Sequence, residues 1–244
     1  ISSYPIHIKL ETGMNRLGIS QSDIPSLIAT LKSQPEVQVR SIYSHLAESD
    51  VIESEFTREQ IDLFSLMAEQ ITKELPYPVL KHVLNTEGIS NYNDAQMDMV
   101  RLGIGMYGVN ENNSLRPAIG LHSSISQIKM VKKGASIGYG RNFKAEKDTL
   151  IAIIPIGYAD GIRRSLGNNN GGVYINNSYC PIVGNVCMDM IMVELMDLSC
   201  KEGDSVEIIG ENQSVKKLAE KMGSITYEVL TSFSGRLHRI YTDQ

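Results

Sequence analysis

The chain has no apolar run approaching the ~20 residues that a membrane-spanning helix needs, and no signal-peptide pattern opens it. No membrane partner is expected. It also lacks any helix or loop crowded with Lys and Arg, and its net charge is −5; that balance argues against a nucleic-acid partner. Cysteine is scarce: Cys180, Cys187 and Cys200 are an odd set without C-x-x-C spacing. Reduced thiols in a cytoplasmic protein are expected, not disulfides or zinc, and no other metal site is foreseen. There is no internal repeat and no low-complexity segment. The first residue is Ile1 and not Met, so the chain is expected to be part of something longer. What is present is 244 residues, 42% of them hydrophobic, enough for a soluble globular protein with a sizeable core.

Tyr4 to Leu10 alternates as a buried strand that delivers Lys9 at its carboxyl end. Ile24, Leu27, Ile28 and Leu31 recur at helical spacing, with Ser22 or Asp23 placed to cap and Pro25 in the first turn. Val37 to Ser44 reads as the next strand, ending at His45. Phe56, Ile61, Phe64, Met67 and Ile71 mark one face of a second helix, stopped by Pro76 and Pro78. Val79 to Leu84 is strand-like and ends at Asn85-Thr86, and Met99 to Leu102 is a last strand leading into Gly103-Ile104-Gly105. Strands alternating with helices, with polar residues at strand ends, predict βα units of a parallel sheet. About four strands in roughly 110 residues are half of a (β/α)₈ barrel, which takes about 250 residues.

After Asn110 the texture changes. Glu111 to Pro117 is linker-like, and the domain boundary is placed between residues 113 and 114. Short alternating segments follow at Ser126–Val131, Leu150–Ile156, Gly172–Ile175, Cys180–Val186, Met190–Leu195 and Ser205–Ile209, separated by Gly and Asn turns. They predict an all-β domain, a small barrel or sandwich. Ser214 to Met222 reads as a helix closed by Gly223, and Tyr227 to Tyr241 fits no single element. The expected fold class is α/β plus all-β: residues 1–113 form the second half of a TIM-like barrel and residues 114–244 a carboxy-terminal β domain.

Ala135 to Phe143 carries Tyr139 between Gly138 and Gly140, and glycine on both sides lets the backbone bend and leaves a phenol clear of its neighbours. Upstream lie Lys9-Leu10-Glu11-Thr12-Gly13-Met14-Asn15-Arg16-Leu17-Gly18 and Asp98-Met99-Val100-Arg101-Leu102-Gly103-Ile104-Gly105-Met106-Tyr107-Gly108. Downstream lie Ile156-Gly157-Tyr158-Ala159-Asp160-Gly161 and Val183-Gly184-Asn185-Val186-Cys187-Met188-Asp189. In this order, nearly from end to end, they resemble the alanine racemases, fold-type III pyridoxal-phosphate (PLP) enzymes.

The resemblance implies interconversion of L- and D-alanine, supplying D-alanine for cell-wall peptidoglycan. Removing a weakly acidic Cα proton and returning it on the opposite face needs a base on each face, with PLP as electron sink. Tyr139 matches the family's tyrosine base; the other base is the lysine that bonds the cofactor. An ordinary phenol has a pKa of about 10 and needs help from neighbours to act near neutrality. By resemblance His45 would bond Tyr139, and Arg101 would bond His45. The residues alone leave plainer readings open: a buried, satisfied His45, and an Arg101 paired with Asp98. Arg101 would face the pyridine nitrogen of PLP, where a permanently charged guanidinium cannot accept the proton a carboxylate could, limiting side reactions such as transamination.

The N–H groups of Gly103 and Ile104, with the hydroxyl of Thr86 where the family commonly has Ser, would take the PLP phosphate. Asn85 and Tyr43 complete the implied cofactor contacts. Arg16 would steady the substrate carboxylate. Lys9 matches a lysine that several family members carry as a carbamate; unmodified, two such cations call for a bound anion such as chloride. Glu11 stands where Asp is usual. The Met188 N–H would bind the substrate carboxylate, and Tyr158 and Arg164 would line the entry corridor. In the closing segment Gly235 replaces a phosphate-contacting tyrosine of some relatives, so that either another hydroxyl such as Ser234 takes its place or phosphate affinity is lower, and His238 replaces a proline. The family's head-to-tail homodimer would bring Tyr139 of one protomer to the PLP of the other.

One family feature is missing. The cofactor-bonding lysine belongs to a Val-Val-Lys-Ala-Asn-like motif before a Tyr-Gly-His turn, and neither occurs; Lys81, Lys129, Lys132 and Lys133 have the wrong context. The chain is therefore expected to be inactive alone. Two other readings stay open: a racemase for serine or a broader range of amino acids, and a non-catalytic dimerisation domain of a larger fused cell-wall enzyme.

Overall fold

A computed structural model of the chain describes residues 4–112 and 114–242. Asn113, at the expected domain boundary, and Ile1 lie outside the described residues. Two compact units are present. One runs up to Met106 and takes in Asn110–Leu115; the other comprises Tyr107–Val109 and the chain from Arg116 onward.

The first unit is α/β. Strands β1 (Tyr4–Lys9), β2 (Val37–Tyr43) and β3 (Leu80–His82) form a parallel sheet in that order. Parallel neighbours cannot be joined by a hairpin, so α1 (Ile24–Ser33) and α2 (Glu55–Thr72) make the crossovers. The short α3 (Thr86–Asn91) follows β3. Pro25 occupies the first turn of α1, where its missing N–H is no loss. Ser22 and Asp23 do not cap α1; both bond the Ser20 hydroxyl instead, at 2.8 and 2.5 Å. Ser54 does cap α2, its hydroxyl oxygen accepting the Thr57 N–H at 3.0 Å. Ile61, Phe64, Met67 and Ile71 of α2 pack with Ile8, Val39 and Ile42 of the sheet in one buried core, each contributing about 1.5–3 kcal/mol. Phe56 does not join them: it stays half-exposed, with its ring over Gly13.

A β-bulge decides which side chains face the site. The β1–β2 register slips by one between Ile6 and His7, leaving Arg40 as the extra residue. Beyond it His7 lies opposite Ser41 and Lys9 opposite Tyr43, while Ser41 and Tyr43 pair with Leu80 and His82 of β3. Because a one-residue slip flips faces, Val39 and Ile42 both reach the helix-covered side. The other face carries His7, Lys9, Ser41, Tyr43, Leu80 and His82, with His7 and Leu80 exposed.

The strand expected at Met99–Leu102 is absent, so the sheet has three strands rather than four among the described residues. Only two backbone bonds link this stretch to β3 and its exit, Asp98 N–H to Lys81 O at 3.1 Å and Arg101 N–H to Leu84 O at 3.0 Å. The Asp98 carboxylate takes the Lys81 N–H at 2.7 Å, a donor that a ladder would need.

The second unit is antiparallel β with two helices. Its strands are β4 (Leu121–Ser124), β5 (Gln127–Val131), β6 (Ser136–Ile137), β7 (Phe143–Lys144), β8 (Thr149–Ile154), β9 (Gly172–Ile175), β10 (Ser178–Pro181), β11 (Ile191–Glu194) and β12 (Ser205–Ile209). They make one sheet in the order β10-β9-β12-β4, another in the order β11-β8-β5, and a β6–β7 hairpin. Ala152, Ile154, Ile191 and Val193 from one sheet share a core with Val173, Ile175, Val206 and Ile208 from the other. Leu218 of α4 (Val215–Met222) and Val229 of α5 (Thr226–Ser232) join it. Ser214 caps α4, and Gly223 ends it at a φ of +64°. No helix among the described residues is long and apolar enough to cross a membrane.

Candidate active site

The carboxyl end of the parallel sheet opens into a cleft of about 460 Å³ lined by Lys9, Arg16, Leu17, Tyr43 and His45. Arg16 is carried by a loop that leaves β1 and returns to it, closed by Glu11 N–H to Ile19 O at 2.9 Å and Ile19 N–H to Lys9 O at 2.8 Å. Gly18, at a φ of +146°, lets this closure happen, since a Cβ there would stand 2.6 Å from Glu11 N. Glu11 shapes the loop's interior by accepting the N–H groups of Gly13 at 2.6 Å and Arg16 at 3.3 Å. Burial pushes its carboxyl pKa up, but backbone donors from Asn15, Gly13 and Arg16 together hold it below the usual value. Thr12 and Ser44 bond each other at 2.7 Å, and Gln60 of α2 accepts the Ala47 N–H at 2.9 Å, so the exits of β1 and β2 are tied together.

Arg101 is held over the ends of β2 and β3. Its guanidinium donates to the carbonyls of Ser44 at 2.6 Å, His82 at 3.2 Å and Val83 at 3.2 Å, to His82 Nδ1 at 2.7 Å, and lies 3.4 Å from His45 Nδ1. Asp98 is turned to the Lys81 N–H, so the Arg101–Asp98 pairing that the sequence left open is not made. Carbonyl oxygens and imidazoles surround this guanidinium. His45, half-buried, has its pKa lowered by burial, then by Arg101, Arg16 and Lys9.

His82 is a site residue that the sequence did not disclose. Its ring stacks on Tyr43 with centroids 5.2 Å apart and planes 2° from parallel, and Arg101 lies 5.3 Å over the Tyr43 ring. Burial, then the Arg101 charge, pushes its pKa down to about 4. The geometry fixes its tautomer: a guanidinium only donates, so Nδ1 carries the lone pair and Nε2–H donates to Ser41 Oγ at 3.0 Å. Ser41 Oγ is also hydrogen-bonded to His7 Nδ1 at 2.7 Å. Only the fold brings these residues together.

Thr86 Oγ1 accepts the N–H groups of Gly103 at 3.0 Å and Gly105 at 3.2 Å, so the three meet at the start of the short 3₁₀ turn Ile104–Tyr107. Asn85 is committed elsewhere: its carboxamide oxygen caps α3 through the Gly88 N–H at 3.0 Å and accepts from Ser49 at 2.7 Å.

In the second unit Tyr139 stands 74% exposed on the turn between β6 and β7. Gly138 and Gly140 sit at φ values of +71° and +69°, which a side-chain-bearing residue rarely adopts. A Cβ on Gly138 would also stand 2.9 Å from Met192 Cε. Asn185, which the sequence did not single out, steadies the turn by donating to Tyr139 O at 2.8 Å. Beneath it lies a mainly apolar cleft of about 440 Å³ that includes Val131, Ile153, Cys187 and Met192. Met188 and Tyr158 are exposed at 52% and 43%, and the turn Tyr158–Asp160 bonds the 187–188 backbone through Tyr158 N–H to Cys187 O and Ala159 N–H to Met188 O, both 3.0 Å. Arg164 is exposed, and Ser234 accepts the Arg236 N–H at 3.2 Å. No group of three or more His, Cys, Asp or Glu among the described residues could hold a metal.

Known proteins share this arrangement. The family model of the alanine racemase N-terminal domain matches residues 2–111, and that of the alanine racemase C-terminal domain matches residues 118–241. An alanine racemase 2 of Caldanaerobacter subterraneus subsp. tengcongensis is 38% identical over 97% of this chain. The chain spans only 64% of that relative's length. Among solved structures, the alanine racemase of Bartonella henselae with covalently bound pyridoxal phosphate has a TM-score of 0.89 and 32% identity, over 98% of this chain and 67% of its own. That of Bacillus anthracis with bound L-Ala-P has a TM-score of 0.89 and 30% identity, over 96% of this chain and 64% of its own. With two consecutive family models along nearly its whole length, and relatives alike in both sequence and structure, the chain belongs to the alanine racemase family.

Proposed function

We propose that the chain is the carboxy-terminal part of a cytoplasmic PLP-dependent racemase that interconverts L- and D-alanine and so supplies D-alanine for peptidoglycan. The first unit is the second half of its barrel, the second unit its β domain. The observation that carries this reading is the Tyr139 phenol, 74% exposed on a turn shaped by two glycines at positive φ. An exposed phenol on a rigid turn suits a proton carrier that must meet a substrate. The L-Ala-P bound to the Bacillus relative supports alanine as that substrate.

The residues of the first unit fit the cofactor. Added to Gly103, a Cβ would meet only Thr86 Oγ1, at 3.6 Å, so the backbone there is open to an anion. The Thr86 hydroxyl hydrogen and the Ile104 N–H would hold the phosphate, joined by the Gly103 N–H once it turns from Thr86 Oγ1. Arg101, bonded to carbonyls and imidazoles, would face the pyridine nitrogen without offering it a proton acceptor. When bound, PLP supplies the sink for the electron pair left at the substrate Cα. Arg16 and the Met188 N–H orient the substrate carboxylate, and the cationic Lys9–Arg16 cleft suits a carbamate or a bound anion between them. Tyr139 Oη takes or returns the Cα proton on one face. On the other face works a lysine that the 244 residues lack. A head-to-tail homodimer brings Tyr139 of one protomer to the Arg101 side of the other.

In the intact protein, Tyr139→Phe is expected to lower kcat/KM about 10²–10⁴-fold in both directions alike, since each direction needs both bases, while PLP absorbance titrations change little. Unchanged rates would favour a scaffold domain instead. The 244-residue chain alone should show no racemisation; activity without an added amino-terminal half would sink the division of labour.

A further inference from the structure

Three segments of the second unit meet at one guanidinium. Arg236, in the closing segment after α5, donates from Nε to Asp160 Oδ1 at 2.9 Å and from Nη2 to Asp189 Oδ1 at 2.7 Å. Asp160 lies two residues after Tyr158, and Asp189 directly follows Met188. The Asp160 side chain is 5% exposed, and its second oxygen accepts the Gly157 N–H at 2.8 Å. Its carbonyl accepts the Ser234 N–H at 3.3 Å. Gly157 allows the two loops to touch: a Cβ there would stand 2.4 Å from the carbonyl oxygens of both Cys187 and Met188.

We propose that Arg236 is a positioning residue for the substrate carboxylate, acting through Met188. It latches the Tyr158–Asp160 turn to the Met188 loop and balances the charge of Asp189. This rests on the reading that the Met188 N–H receives the substrate. Without Arg236 the Asp189 carboxylate would stand uncompensated one residue from that N–H and repel an incoming carboxylate. The buried Asp160 would lose its counter-charge, loosening the turn that carries Tyr158.

Two arms test this. On the chain itself, Arg236→Ala should speed amide exchange at Tyr158 and Ala159 about tenfold, a 1.4 kcal/mol effect, while Ile154 and Val193 in the core exchange as before. Unchanged exchange at Tyr158 and Ala159 overturns the latch. In the intact racemase, Arg236→Gln should raise KM for alanine about tenfold with kcat within about threefold, and adding Asp189→Asn should recover most of that KM. A structural residue gives no such charge-specific recovery, so an unchanged KM, or no recovery in the double variant, overturns the role in substrate binding. An intact wild-type protein that fails to racemise alanine refutes the functional reading itself, and with it the substrate role. The exchange result then still decides the latch.

Discussion

In the first unit the groups around the cleft are side chains at strand ends, embedded in other polar side chains. Thr12, Ser41, Ser44, Gln60, His82 and Thr86 are all buried and hydrogen-bonded. In the second unit the core is almost wholly apolar, and Tyr139, Tyr158 and Met188 stand exposed on turns above it. The Arg101 guanidinium is held by part-buried acceptors, carbonyls and an imidazole nitrogen, each of which costs energy if left alone. The exposed Tyr139 phenol rests instead on a turn shaped by two glycines at positive φ and one asparagine bond. Charge is placed by a buried network in one unit, and a phenol is placed by backbone shape in the other.

The largest effect should come from breaking the network. Arg101→Met leaves the carbonyls of Ser44, His82 and Val83 and the His82 Nδ1 without their donor. It should lower the stability of the first unit by about 3 kcal/mol in denaturant titrations followed at its own amides. The second unit should be untouched. A loss shared equally by both units would mean that the contrast between them is false.

A smaller effect should come from the turn. Gly138→Ala forces a side chain onto a backbone at φ +71° and ψ −172°, which essentially only glycine adopts, and against Met192, at a cost of about 1–3 kcal/mol. In the intact enzyme it should lower activity through Tyr139 while cofactor binding persists. If activity stays at the wild-type level, the turn does not set the phenol's place.

The smallest effect is a pH dependence from His82, confined to acid pH. Its folded pKa of about 4 lies below the ordinary 6.5, because burial and the Arg101 charge favour the neutral ring. Its contribution is therefore complete above about pH 6.5 and is lost as the pH falls towards 4, where the unfolded chain binds the proton first. Comparing wild type with His82→Gln, the difference in unfolding midpoint should change across that window and stay flat above it. A flat difference throughout would show that the ring keeps its proton balance on unfolding.

Much of the architecture could be read from the residues. Strand-like patterning found β1, β2, β3, β5, β8, β9, β11 and β12, and helical spacing found α1, α2 and α4. What escaped had no period to show. The β6 and β7 strands are two residues each. The Met99–Leu102 stretch has strand composition but spends its pairing on two bonds and a carboxylate. Phe56 fits the helical stripe, yet the glycine at position 13 draws its ring out of the core. In the site, Arg101, His45 and Arg16 were legible from their motifs. His82 was not, since its partners Ser41 and His7 lie 41 and 34 residues apart along the links that join them. The bulge at Arg40, which sends Ser41 and Tyr43 to the same face as His7 and Lys9, was equally invisible in a string of alternating residues.

The two rims of the three-stranded parallel sheet differ: Asp98 takes both the N–H and the carbonyl of Lys81 along β3, whereas among the described residues no strand pairs with the outer side of β1, where Tyr4 is 57% exposed. An uncovered rim presents a row of peptide donors and acceptors to any passing chain. A concentrated solution of these residues by themselves is thus prone to stacking along β1 into aggregates, and a lysine in place of Tyr4 is the simplest guard.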